Sequence, residues 1–293
     1  MRRNFLVGGG LLFGGWLIAV NAGAAYLTRR RKPDPQDSPT NYGIPFQEVQ
    51  FIARDGVKIA GRWIPAREPA CTVILCHGQE GSMDGLTPIM VPLYEANFNV
   101  LMFDFRAHGQ SEGSSVSMGM YEKEDLLGAI DFLHANYQVE SVGVVGFSMG
   151  AATALITAAL SDRICAIVAD SSYIHLRQTL ARWGTQRGVP YAIARQIAWG
   201  VLSTTSVRID GRIDQAEPSR WVAHIGQRPI LYIYGEADPY ITRAEIAELQ
   251  RLSEGPTDLW LVPNVGHRGA YLADPAGYME RVIAWFQKYL VPA

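Results

Sequence analysis

Beyond residue 46, apolar runs of four or five residues alternate along the chain with longer stretches in which apolar positions recur at three- and four-residue intervals. The short runs predict strands at 72–76, 100–103, 142–145, 166–169, 230–234 and 259–262. The longer stretches predict helices at 86–96, 121–136, 149–160, 243–252 and 275–290. Strands apolar on both faces, alternating with helices, imply an α/β fold with a mostly parallel sheet and helices on both sides.

Two segments depart from this rhythm. Residues 46–54 and 58–64 read as short strands around Asp55-Gly56-Val57, and an Asp-Gly pair in that setting predicts an antiparallel hairpin opening the sheet. Between Asp170 and Gln227 there are helical patches at 176–183 and 191–201 but no strand. A structureless loop that long is unusual in a compact domain, so an insertion at about 171–227 is expected to form a small helical cap over the site. Its aromatic residues Trp183, Tyr191 and Trp199 are expected to favour an apolar acyl or aromatic group.

At the N-terminus, Arg2 and Arg3 precede an apolar stretch from Phe5 to Leu27, broken only by Asn21 and closed by Arg29, Arg30, Arg31 and Lys32. About 20 such residues suffice to cross a bilayer as one helix. Residues 1–32 are therefore expected to be a single-pass membrane anchor, with the side of the membrane left open. The competing reading is a signal peptide cut near Ala22-Gly23-Ala24, which would leave a secreted or periplasmic protein. The four-residue cationic cluster favours the anchor, because cleavage would require that cluster to be carried across. Residues 33–45, rich in Pro, Asp, Ser, Thr and Asn, are expected to be an extended linker before a catalytic domain at 46–293.

The net charge of −2 hides an asymmetry, since residues 1–32 hold six basic residues and no acidic ones, leaving 20 basic against 28 acidic. The mildly acidic body lacks the basic stripe of a nucleic-acid binder. Cys71, Cys76 and Cys165 are odd in number and carry no metal-ligand spacing, so they read as buried apolar residues.

Gly146-Phe147-Ser148-Met149-Gly150 stands between a predicted strand and a predicted helix. That context fits a sharp turn that exposes a serine hydroxyl at the sheet edge, with Gly146 and Gly150 letting strand and helix cross. The following helix aims its free N–H groups at the same point, making Met149 N–H one expected oxyanion donor. The second is expected from Gln79 N–H in Cys76-His77-Gly78-Gln79, after the 72–76 strand. His77 and Gly78 are expected to support that loop by structure.

A serine needs a base, and the base needs an acid to fix its tautomer. Asp238, just past the 230–234 run, and His267, between Gly266 and Gly269 past the 259–262 run, occupy strand ends where α/β sheets place functional groups. Ser148 is thus expected as nucleophile, His267 as base and Asp238 as orienting acid, with Glu236 the main rival acid. His108, His134, His175 and His224 fit a base less well.

From about Phe46 onward the chain resembles the α/β-hydrolase superfamily, most closely its serine aminopeptidase-like and acylaminoacyl-peptidase-like bacterial members. The matching residues are His77-Gly78, Asp104-Phe105-Arg106-Ala107-His108-Gly109-Gln110-Ser111, the serine turn, and the acid and histidine segments. The resemblance implies that Asp104 and Arg106 organise loops and do not react.

The expected activity is ester hydrolysis through an acyl-enzyme, on a small-molecule or lipid-like acyl substrate, with no metal or organic cofactor. Peptidase or thioesterase activity on membrane-associated substrates is the alternative, and a non-catalytic binding module keeping the fold is the reading from another class.

Overall fold

The computed structural model describes residues 2–290 apart from Pro69, with side chains described from Gly14 onward. One eight-stranded sheet organises the chain. Its strands are β1 (Gln47–Ile52), β2 (Lys58–Ile64), β3 (Thr72–Cys76), β4 (Asn99–Phe103), β5 (Val142–Phe147), β6 (Ile164–Asp170), β7 (Ile230–Gly235) and β8 (Thr257–Val262). They lie in the order β1-β2-β4-β3-β5-β6-β7-β8. β1 and β2 form the expected antiparallel hairpin, β2 pairs antiparallel with β4, and every later pairing is parallel.

The helices are α1 (Arg2–Thr28), α2 (Thr87–Glu95), α3 (Glu122–Tyr137), α4 (Met149–Ala158), α5 (Leu176–Thr185), α6 (Tyr191–Arg208), α7 (Arg243–Leu252), α8 (Ala270–Ala273) and α9 (Pro275–Tyr289). α7 begins at a capping box, in which Thr242 Oγ accepts from Glu245 N while Glu245 Oε2 accepts from Thr242 N. α9 starts with Pro275 after Asp274, whose side chain accepts from Gly277 N.

The two-residue period of the strands sorts the core into two layers. Ile74, Leu101, Phe103, Val144 and Ile167 point to the side of α3 and α4, whereas Val73, Leu75, Met102, Val145 and Val168 point to that of α2 and α9. β3 and β5 are buried along their whole length, which is why their sequence is apolar without alternation. Cys76 is buried among them, but Cys71 and Cys165 are only half-buried, and all three are free thiols.

The N-terminal expectations need correcting. Among the described residues no helix is long and apolar enough to cross a membrane. The second half of α1 instead lies along α6, burying Val20, Ala24 and Leu27. Small residues allow the close approach: a Cβ on Gly200 of α6 would fall 2.6 Å from Val20 Cγ2, and one on Gly23 would fall 2.6 Å from Val201 Cγ2. The small-residue site expected for signal cleavage sits inside this helix, where Ala24 is fully buried. Residues 33–45 are no free linker either. Asp34 accepts from Ser82 N, the Asp37 carbonyl accepts from Arg62 Nη1, and Ile44 joins the core. From Val20 to Leu27 the helix buries apolar side chains against the protein because the cap offers a complementary face.

Candidate active site

β5 ends at Phe147 and α4 begins at Met149, so Ser148 alone makes the turn, with φ 52° and ψ −109°. A non-glycine residue held there costs about 1–3 kcal/mol, and the surroundings must enforce it. They do so by contact. A Cβ on Gly146 would fall 2.4 Å from the Gly150 carbonyl, and one on Gly150 would fall 2.3 and 2.5 Å from the carbonyls of Cys76 and His77. Ser148 N donates to Asp170 O at 2.8 Å, closing the turn against β6.

The structure brings Ser148, His267 and Asp238 together. Nε2 of His267 is 3.0 Å from Ser148 Oγ, and its Nδ1 is 2.7 Å from Asp238 Oδ2. The Asp238 side chain is 2% exposed, and its Oδ1 accepts from Tyr240 N at 2.8 Å. Tyr240 also meets the His267 ring edge-on, with centroids 5.3 Å apart. Glu236, the rival acid, faces away and pairs with Arg243 at 2.6 Å. Behind the histidine loop, Ser171 Oγ accepts from Arg268 N at 3.0 Å and donates to Asp170 Oδ1 at 2.7 Å. Burial raises the pKa of the Asp170 carboxyl.

The loop after β3 places Gln79 on the wall of the cavity that holds Ser148 and His267. Neither Gln79 N–H nor Met149 N–H has a backbone acceptor among the described residues, so both are available to a ligand oxygen. His77 braces that loop through both ring nitrogens. Its Nδ1 lies 2.7 Å from the Gly78 carbonyl, and its Nε2 accepts from Phe105 N at 3.0 Å. Burial, with His108 close by, holds the His77 ring neutral, its pKa well below the usual value. His108, which sequence reasoning set aside, bridges the Arg106 and Gln79 carbonyls at 2.8 Å each.

Asp104 and Arg106 organise loops. Asp104 accepts from Met83 N and Gln110 N, and Arg106 is held by Asp55 and Asp125. Burial lifts the Asp125 pKa to about 7 even against that arginine. His134 sits on the surface beside Glu140, and His175 lies between Glu217 and Glu248. Among the described residues no cluster of His, Cys, Asp or Glu could hold a metal ion.

Above Ser148 opens a cavity of about 540 Å³. The cap supplies Leu180, Trp183, Ala194, Ile197, Ala198 and Val201, while α1 supplies Ala19, Gly23, Tyr26 and Leu27. Of the three cap aromatics expected there only Trp183 lines the cavity. Tyr191 and Trp199 point to solvent, 44% and 52% exposed. The wall from α1 escaped the sequence reading, although the four-residue spacing of Ala19 and Gly23 on an apolar helix is the small-residue signature of close helix packing.

Comparisons with known proteins agree with this architecture. The alpha/beta hydrolase fold family matches residues 72–187. The uncharacterized protein YfhR of Escherichia coli is 30% identical over 257 residues, 84% of this chain and 82% of that one. The thiohydrolase aneE of Aspergillus aculeatus is 30% identical over 128 residues, 42% of this chain and 40% of that one. Among solved structures, the esterase Pf2001 of Pyrococcus furiosus superposes with a TM-score of 0.75 at 25% identity, covering 90% of this chain and 99% of that one. The chain belongs to the α/β-hydrolase superfamily, and its esterase neighbours mark it as a hydrolase.

Proposed function

We propose that the protein is a serine hydrolase that cleaves esters of apolar acyl groups through an acyl-enzyme on Ser148. The observation that carries this reading is the unbroken relay from Asp238 Oδ2 through His267 to Ser148 Oγ, at 2.7 and 3.0 Å, at the floor of a mostly apolar cavity.

In the first step His267 Nε2 takes the Ser148 proton while Oγ bonds to the ester carbonyl carbon. The carbonyl oxygen becomes an oxyanion between Met149 N–H and Gln79 N–H. Asp238 accepts from His267 Nδ1–H and stabilises the imidazolium. As the intermediate collapses, the carbon–oxygen bond to the alcohol breaks and His267 returns the proton to that oxygen. Water, deprotonated by the same nitrogen, then attacks the acyl carbon, and the acid leaves as Oγ regains its proton.

An acyl group over a cationic or peptidic one is favoured by the cavity walls, which are mostly aliphatic and aromatic apart from His267, Glu80, Arg187, Arg268 and a few hydroxyl and amide groups. Thioesters use the same steps and are the second reading, supported by a relative in Aspergillus that is named a thiohydrolase. Membrane association through the start of the N-terminal helix belongs to the same proposal. It is supported by Arg2 and Arg3 ahead of apolar sequence and by Ile18, 72% exposed where α1 leaves the cap.

Fluorophosphonate labelling followed by a panel of acyl esters, thioesters and peptides tests the proposal. Labelling at Ser148 and hydrolysis of medium-chain esters are expected, both lost in Ser148→Ala. Undiminished labelling and turnover in that variant would overturn it, and a wild-type protein inert to every serine-directed probe would favour the binding-module reading.

A further inference from the structure

We infer that the end of α1 and the chain leaving it, residues 26–34, position the oxyanion loop, so that the N-terminal segment is part of the machinery for turnover and not only an attachment. This rests on the serine hydrolase reading above.

The loop between β3 and α2 presents Gln79 N–H, and the orientation of that amide is set by what holds residues 79–82. From inside the domain, His108 Nε2 lies 2.8 Å from the Gln79 carbonyl. From outside, Gln79, Glu80 and Ser82 are each attached to the N-terminal segment. Gln79 Nε2 donates to the Leu27 carbonyl at 3.0 Å. Glu80 Oε1 accepts from the Tyr26 hydroxyl at 3.3 Å and pairs with Arg31 Nη1 at 3.2 Å. Ser82 N donates to Asp34 Oδ2 at 2.8 Å, and Asp34 N donates back to Ser82 Oγ at 3.0 Å. A carboxylate accepting a backbone N–H is among the stronger hydrogen bonds, and Ser82 is 1% exposed, so little water competes for it.

The segment is itself fixed to the domain. Arg31 N donates to the Ala107 carbonyl at 2.9 Å, and Arg30 donates to the carbonyls of Gly109, Ser111 and Gly113. Those carbonyls belong to the same loop that carries His108. The Arg31 side chain is 1% exposed, and burying a guanidinium so deeply is costly unless its charge is met. Glu80 meets it in part by the ion pair and the Leu27 carbonyl accepts from Nη2, both already part of the attachment, while Nε and Nη1 make no hydrogen bond among the described residues and burial lowers the pKa of the group. The cationic cluster of the sequence thus reads as a clamp: two of its four residues grip backbone and one acidic side chain around the oxyanion loop.

An oxyanion donor acts on charge that develops only in the transition state. Misplacing it lowers kcat and leaves KM nearly unchanged, whereas damage to the acyl wall raises KM. Displacements near 1 Å cost up to about 100-fold. Asp34 contacts no substrate-facing group and lines no part of the cavity, so it separates the two effects.

The test uses the full-length chain and variants Asp34→Ala and Asp34→Asn, assayed with a p-nitrophenyl ester and with a trifluoromethyl ketone, which forms a tetrahedral adduct on the serine. Asp34→Ala is expected to lower kcat about 10- to 100-fold, with KM within about twofold, and to weaken the ketone by a similar factor. Asp34→Asn, which keeps an acceptor oxygen for Ser82 N, is expected to restore most of both. If Asp34→Ala fails to fold, Ser82→Ala, which removes the bond from Asp34 N and lies outside the cavity lining, carries the same comparison. Wild-type kcat and ketone affinity in the folded variants, or a rise in KM alone, would overturn the inference. Loss of Ser148 labelling in the wild-type chain would instead overturn the hydrolase reading, so the two failures are distinguishable.

Discussion

Ser171 Oγ accepts from the backbone N–H of Arg268 at 3.0 Å, joining the end of β6 to the loop that carries His267. Both residues have left-handed backbones, φ 56° and 59°, so each half of the joint is held in a conformation that the contact helps to maintain. Ser171→Ala leaves a partly buried N–H without its acceptor, a loss of about 1–3 kcal/mol. We expect kcat to fall about tenfold with a small drop in melting temperature, and steady-state kinetics beside thermal denaturation would check it.

The two acids in the loop after β7 should separate cleanly. Asp238→Asn keeps the shape of the acid but presents the wrong partner to His267 Nδ1, and a loss of about 10⁴-fold in kcat is expected. Glu236→Gln, which removes only the exposed pair with Arg243, should leave turnover within about twofold. Equal losses in both would mean that the acid has been misassigned.

Gly150→Ala tests the crossing beneath the serine. The new methyl would sit 2.3 and 2.5 Å from two backbone carbonyls that cannot swing away like a side chain. Overpacking of a core commonly costs about 1–3 kcal/mol, and this contact should exceed it. The measurement is the midpoint of denaturant unfolding, or soluble yield if the variant does not fold.

Acyl preference should follow the walls of the cavity. Ala198 is 3% exposed and faces the cavity, so Ala198→Leu should shorten it and reduce kcat/KM for long esters relative to short ones by about 10- to 200-fold. Trp199→Ala, next door but solvent-facing, should leave the chain-length profile unchanged. A panel of p-nitrophenyl esters reads both.

His175 gives a pH dependence with a definite sign. The Glu217 contact, with Glu248 adding to it against the opposing effect of burial, raises its pKa from 6.5 to about 9. Folded protein therefore binds this proton more tightly than unfolded chain. The stabilisation is fully present below about pH 6.5 and disappears as pH rises toward 9. Melting temperature of the wild type should fall across that window more steeply than that of His175→Gln.

Much of the architecture was legible because it is written in local periodicity. β3 and α7 run over the residues that the pattern marks, since an unbroken apolar run and a helical apolar spacing are each set by neighbouring residues. Ser148, Asp238 and His267 were legible because each follows a strand and has glycine close by. The contacts that required two distant segments were not. An apolar helix such as α1 satisfies a bilayer and a protein groove equally well, and only Gly200 on the partner helix shows that a groove exists. Likewise, Ala194, Ile197, Ala198 and Val201 form one stripe of α6, yet nothing local tells which stripe faces inward. Trp199 was therefore credited to the wrong side. Arg31, expected at the end of a membrane anchor, is buried beside Glu80 and a helix-end carbonyl, contacts that only the folded chain brings together.

The cavity has walls of separate origin. Ser148, Asp238 and His267 stand just past the ends of sheet strands, whereas most of the cavity's apolar lining comes from α1 near the beginning of the polypeptide and from α5 and α6 far along it. None of these helices contributes a strand to the sheet, so substitutions on three peripheral rods can reshape the cavity while the residues at the strand ends keep their places.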